Sequence, residues 1–158
     1  MGVEIERKFL LAGDAWRALG EPVLLRQGYL NADPARTVRV RIEGQGAMLT
    51  IKSKNVGATR GEWEYAIPVP EAAELLDNVC ERPLIEKYRR RIVSAGHIWE
   101  VDEFLGENAG LAVAEIELAS EAETFAKPDW IGEEVTGDPR YYNSSLIRLP
   151  FSQWKNQP

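Results

Sequence analysis

At 158 residues, 44% hydrophobic and 28% charged, the chain has the size and composition of one folded domain, neither collagen-like nor disordered. A single Cys80 and a single His97 exclude an internal disulfide framework, a thiolate metal cluster and a multi-histidine zinc site. With 19 Lys and Arg against 25 Asp and Glu, the net charge of −6 argues against general nucleic-acid coating, and no apolar run approaches bilayer-spanning length. The opening Glu4-Ile5-Glu6-Arg7-Lys8 is charged where a signal peptide needs an apolar core, so the expectation is a soluble cytoplasmic protein with no membrane partner.

Along the chain, the dominant signal is alternation of apolar and charged residues, the mark of half-buried strands. Val3, Ile5 and Phe9 interleave with Glu4, Glu6 and Lys8, which predicts a strand over about 2–10. Asp14 can cap a short turn ending at Gly20, with Trp16 and Leu19 on one side. A second strand is expected over about 23–31, a third over 36–43 (Arg39 and Arg41 between Val38, Val40 and Ile42), and a fourth over 47–54. Trp63, Tyr65 and Ile67 alternate with Glu62 and Glu64 in a fifth, over about 61–68. Glu71–Val79 reads as a helix presenting Leu75, Leu76 and Val79.

Three more strands follow, over about 84–93, 97–105 and 112–119, the last carrying Glu115 and Glu117 between Ala114, Ile116 and Leu118. Ser120-Glu-Ala-Glu123 has the form of a capping box opening a helix to about Ala126, and Asp138-Pro139 of another leading to Leu146. The links between strands are short and rich in Gly, Asn and Pro, so neighbours are antiparallel. The predicted class is α+β: one domain over 1–158, an eight-stranded mostly antiparallel sheet, of a size that can be closed as a barrel, with peripheral helices.

Each strand sorts its charges by sign. Glu4/Glu6, Glu62/Glu64, Glu100/Asp102 and Glu115/Glu117 are acidic; Arg39/Arg41, Lys52/Lys54 and Lys87/Arg89/Arg91 are basic. Residues i and i+2 lie ~7 Å apart on one strand face. Like charges there repel by roughly 2 kcal/mol at an effective dielectric of 20, and by about 0.6 in water. Two arrangements tolerate this. An open sheet would solvate the charged face, with acidic strands beside basic ones. A closed sheet would line a cavity in which carboxylates hold a hard cation and Arg and Lys hold phosphate oxygens. The residues alone leave both open.

The ordered motifs carry a resemblance. Glu4-Ile-Glu6-Arg-Lys8 resembles the ExExK signature of the CYTH family, the triphosphate tunnel metalloenzymes. Arg39-Val-Arg41, Thr50-Ile-Lys52, Glu62-Trp-Glu64, Glu86-Lys87-Tyr-Arg89, Trp99-Glu-Val-Asp102, Glu115-Ile-Glu117 and Val135–Asn143 follow in the family's order. The resemblance implies a charged tunnel and Mg²⁺- or Mn²⁺-dependent cleavage of inorganic tripolyphosphate to pyrophosphate and phosphate. It implies Glu4, Glu6, Glu115 and Glu117 around the metal, with Glu62, Glu64 and Asp102 near a second metal or the attacking water. Lys8, Arg39, Arg41, Lys52, Lys87 and Arg89 would grip the phosphates; Lys54, Arg91 and Arg148 are weaker candidates. Tyr29, with Lys8 and Lys87, would serve catalysis, Tyr29 as proton acceptor. Class IV adenylyl cyclase and thiamine triphosphatase activities share the scaffold, and a non-catalytic polyphosphate-binding module is the alternative of another class. A homodimer would cover any apolar strand face that the helices leave open.

Overall fold

The computed structural model describes residues 2–156. In chain order the strands are β1 (Gly2–Leu11), β2 (Val23–Asn31), β3 (Arg36–Glu43), β4 (Gly46–Ser53) and β5 (Thr59–Ala66). After helix α1 (Val69–Asn78) come β6 (Ile85–Ser94), β7 (His97–Phe104), β8 (Ala112–Glu117) and β9 (Ile131–Glu134), then the one-turn α2 (Asn143–Leu146). Every strand pairing is antiparallel, in the order β5-β4-β3-β2-β6-β7-β8-β1-β9, and a further β1–β5 pairing closes eight strands into a barrel.

β1 is the seam. One edge pairs with β8; the other pairs first with β5 through Gly2–Ile5 and then with β9 at Phe9 and Leu11. The barrel is inverted relative to an ordinary core, with charged residues facing in and apolar ones facing out. The outward residues are covered in two places. Phe9, Trp99, Val101 and Ile116 pack beneath Trp16, Trp130 and Phe125. Val40 and Ala47 pack under Ala72 and Leu76 of α1. At one end of the barrel the inward face turns apolar: Tyr29, Ile85, Phe104 and Val113 meet Tyr141, Leu146 and Ile147 of the C-terminal segment, which closes that end as a plug.

α1 packs close to β2 because Gly28 lacks a side chain. A Cβ there would come within 2.7 Å of Leu84 Cδ2, 2.9 Å of Cys80 Cβ and 3.1 Å of Leu76 Cδ2. The segment 120–126 does not form the expected helix; it makes a turn and then continues without regular secondary structure. Glu123 does reach back to the Ala119 amide, at 2.6 Å, but its other oxygen contacts His97 Nε2 at 2.6 Å, and Phe125 is drawn over the Phe9–Trp99 core. Tertiary packing overrides the local capping signal. Leu19, expected on the buried side of its turn with Trp16, is 39% exposed, whereas Trp16 is buried. Among the described residues, no helix is long and apolar enough to cross a membrane.

Candidate functional site

Closing the barrel turns the alternating charges of separate strands into one continuous lining. The cavity has a volume of about 690 Å³. Around it, β7, β8, β1 and β5 are neighbours and carry the acidic pairs; β4, β3, β2 and β6 are neighbours and carry the basic ones. The interior therefore has an acidic arc and a basic arc facing each other. Tyr29 and Gln27 of β2 lie in the middle of the basic arc, their register partners being Arg39 and Arg41.

On the acidic arc, Glu4, Glu6, Glu115 and Glu117 line the cavity, together with Glu62 and Glu64. Glu6 and Glu117 are direct register partners, as are Lys8 and Glu115. Burial would raise Glu4, but the Lys52 ammonium and the Arg60 guanidinium outweigh it and hold its carboxyl down to about 2. Lys52 Nζ lies 3.1 Å from both Glu4 oxygens and 3.2 Å from Glu62; Arg60 Nε lies 3.2 Å from Glu4. Glu6 is pushed well up by burial and by the neighbouring Glu115 and Glu4 carboxylates. Burial and nearby carboxylates also raise Glu62 and Glu117.

Lys8, Lys52, Lys87, Arg39, Arg41 and Arg89 line the cavity as well. Arg39 is buried, its Nε lacks a hydrogen-bond partner, and no ion pair holds it among the described residues. Arg41 is pushed down to about 9 by burial and by the charges of Arg39 and Arg89. Lys87 is fully buried and pushed down to about 7, burial outweighing the opposite pull of Asp102. Lys8 Nζ donates to the backbone carbonyl of Tyr141 at 3.0 Å and makes no hydrogen bond to Tyr29 among the described residues. Arg91 reaches the cavity wall tied to Glu43 at 2.8 Å, while Lys54 and Arg148 are exposed and away from it.

Asp102 does not line the cavity. It is fully buried, with Arg89 Nε at 2.7 Å from one oxygen and Lys87 Nζ at 2.7 Å from the other. Its place is behind the basic wall, where it orients two cations. Removing it would leave Lys87 buried without a counter-charge and Arg89 with only Glu100, at 3.3 Å, a loss of about 3–5 kcal/mol. Two groups of lining residues escape the sequence reading. Arg60 falls outside an expected strand that begins two residues too late. Tyr142, Asn143 and Ser144 belong to the plug, where no strand-like alternation marks an inward face.

Among the described residues, no three acidic, histidine or cysteine side chains are gathered into a ready-made metal cage. The donor set nonetheless fits a hard divalent cation. It consists of oxygen ligands only, and Glu6 and Glu117 are raised by burial and, after it, by the repulsion of neighbouring carboxylates. A cation among Glu6, Glu115 and Glu117 would relieve that repulsion.

Comparison with known proteins agrees with this geometry. Residues 2–144 match the CYTH domain. The chain is 54% identical over 155 residues to the inorganic triphosphatase of Acetivibrio thermocellus, covering 98% of this chain and 99% of that one. It is 40% identical over 148 residues to the inorganic triphosphatase of Nitrosomonas europaea, covering 90% and 95%. A crystal structure of an inorganic triphosphatase superposes with a TM-score of 0.63 at 37% identity, over 90% of this chain and 96% of the other. A conserved protein of Pyrococcus furiosus shares the fold at 19% identity and a TM-score of 0.58, over 75% and 80%. The chain belongs to the CYTH domain family.

Proposed function

We propose that the protein hydrolyses inorganic tripolyphosphate to pyrophosphate and phosphate, using Mg²⁺ or Mn²⁺. One observation carries this reading: the cavity holds unneutralised charge of both signs on facing walls. Among the described residues Arg39 has no acidic partner; Arg41 is depressed by burial and then by its cationic neighbours, while Glu6, Glu62 and Glu117 are raised by burial and then by neighbouring carboxylates. A polyanion carrying a divalent cation satisfies both arcs at once. The names of the 54% and 40% identical relatives support the same substrate.

In this reading Arg39, Arg41, Lys52, Lys87, Arg89 and Lys8 bind and orient the phosphoryl groups. Arg and Lys contacts that strengthen on the departing pyrophosphate lower the barrier. Glu4, Glu6, Glu115 and Glu117 hold the cation, with Glu62 and Glu64 beside them. When bound, the cation neutralises phosphate oxygens. Water attacks the terminal phosphorus, the P–O bond to pyrophosphate breaks, and the water's proton passes to Tyr29 as a phenolate. Asp102 stays out of the metal set because it is fully buried behind the wall and does not line the cavity.

Ala47, Met48, Ile67 and Val69 add an apolar shelf to a lining that also holds Glu43 and Gln45. That lining favours a second reading in which organic triphosphates enter with the base or ring against this shelf. The test is a panel of tripolyphosphate, ATP, thiamine triphosphate and pyrophosphate with Mg²⁺ or Mn²⁺, read as phosphate release and cyclic AMP formation. Tripolyphosphate should have the highest kcat/KM. A higher value for ATP with cyclic AMP as product, or full turnover in excess EDTA, would overturn the assignment. We take the site of action to be the cytoplasm, and the chain to function as a monomer or homodimer.

A further inference from the structure

The plug does more than close the barrel. The side-chain amide of Asn143, on α2, accepts a hydrogen bond through Oδ1 from Lys87 Nζ at 2.8 Å and from Gln27 Nε2 at 3.2 Å. Gln27 is fully buried on β2, and its Oε1 accepts from Arg41 Nε at 2.8 Å. The polarity of this chain is fixed at both ends. Arg41 and Lys87 can only donate, so Gln27 must turn Oε1 to Arg41 and Nε2 to Asn143, and Asn143 must turn Oδ1 inward. Beyond Lys87 the chain ends on Asp102, which also holds Arg89.

We propose that Asn143 is a positioning residue that, with Gln27, forms an amide relay fixing Arg41 and Lys87 on the two strands flanking β2. The proposal rests on the tripolyphosphate reading above and deepens it. Arg41 on β3 and Lys87 on β6 repel one another. Without the relay, Lys87 would be held by Asp102 from one side only, and Arg41 by packing alone among the described residues. Neutral amides can tie the two cations together without cancelling the charge that a phosphate chain must meet; a carboxylate in the same place would compete with the anion. The same segment fixes Lys8 through the Tyr141 carbonyl, so the plug sets the register of three cations toward one substrate.

The test is steady-state hydrolysis of tripolyphosphate, with melting curves, for the unmodified chain, Asn143→Ala, Gln27→Met and the double variant. Each single variant should lower kcat by roughly 10–100-fold, the scale of an ångström-sized misplacement, with KM changed by less than about threefold. The double variant should be little worse than either single one, because both break one relay. Asn143→Asp keeps an acceptor for Lys87 and Gln27, so it should recover most of the lost kcat while raising KM through its added negative charge. A kcat per folded molecule unchanged in Asn143→Ala, or losses that multiply in the double variant, would overturn the relay and leave the tripolyphosphate reading standing. Absence of turnover in the unmodified chain would overturn both. Should Asn143→Ala fail to fold, Gln27→Met and Asn143→Asp still decide through the kcat-against-KM split.

Discussion

Tyr29 faces the cavity across from Arg39, buried to 4% exposure, with no hydrogen bond to its hydroxyl among the described residues. A phenolic oxygen without a fixed partner, in a wall of cations, is free to meet a water that the phosphate chain brings in. The alternative proton acceptors are occupied: Glu4 by Lys52 and Arg60, Asp102 by Arg89 and Lys87, and Glu64 by the Thr50 hydroxyl at 3.1 Å. His97 lies on the outer surface, paired with Glu123. Tyr29→Phe should therefore cut turnover by roughly 10²–10⁴, the usual worth of a positioned base. KM should hold, since the ring and its packing remain. Wild-type turnover in Tyr29→Phe would move the proton to a carboxylate such as Glu62.

At the scale of elements, α1 and β2 depend on the missing side chain at Gly28. Cys80 Cβ and Leu84 Cδ2 stand where an alanine methyl would go, and Cys80 Cβ cannot swing aside without moving backbone. Gly28→Ala should destabilise by about 1–3 kcal/mol through overpacking, read as a lower denaturant midpoint at unchanged m-value. The strands themselves were legible because a barrel with a wet interior alternates more strongly than one with a dry interior: charged inward residues and apolar outward ones give nearly every strand its period of two. β9 escaped because Ile131-Gly-Glu-Glu134 offers one apolar residue in four, its strand state being imposed by the free edge of β1. The segment 120–126 misled in the opposite sense, a good local cap spent on a loop. Within the site, the paired charges on each strand could be read directly. Which strands stand side by side could not, because β2 pairs with β6 across 53 residues of intervening chain and β1 closes on β5, contacts that no local pattern encodes. The inward turn of Asp102 was predictable, but its burial behind Lys87 and Arg89 was not.

Taken as a whole, the molecule stores opposing charges on opposite walls, and this fixes how its stability responds to acid. In the metal-free chain Glu6, Glu62 and Glu117 are raised by burial and by neighbouring carboxylates. A raised group binds its proton in the folded state at a pH where the unfolded chain has already lost it, so stability increases as pH falls through that window. Glu4 and Asp102, held to about 2, and Glu115, held well below its ordinary value against burial by Lys8 and its other neighbours, act with the other sign. Their contribution is complete above the unfolded values near 4.5 and 3.8, and is lost as pH falls toward 2. Lys87, pushed down to about 7, is almost fully charged by about pH 6, so the comparison starts there. In EDTA, the melting temperature should rise from about pH 6 to about pH 5 and then fall steeply below about pH 4. Saturating Mn²⁺ should abolish the rise, because the cation takes the place of the protons among the same carboxylates. Glu117→Gln should raise the metal-free melting temperature near neutrality and flatten the slope, since it removes one of the repelling charges while keeping the side chain's shape. A metal-free melting temperature that declines steadily from pH 6 downward, with the same slope in Glu117→Gln, would mean that the acidic arc is already neutralised by Lys52 and Arg60 and has no vacancy for a cation.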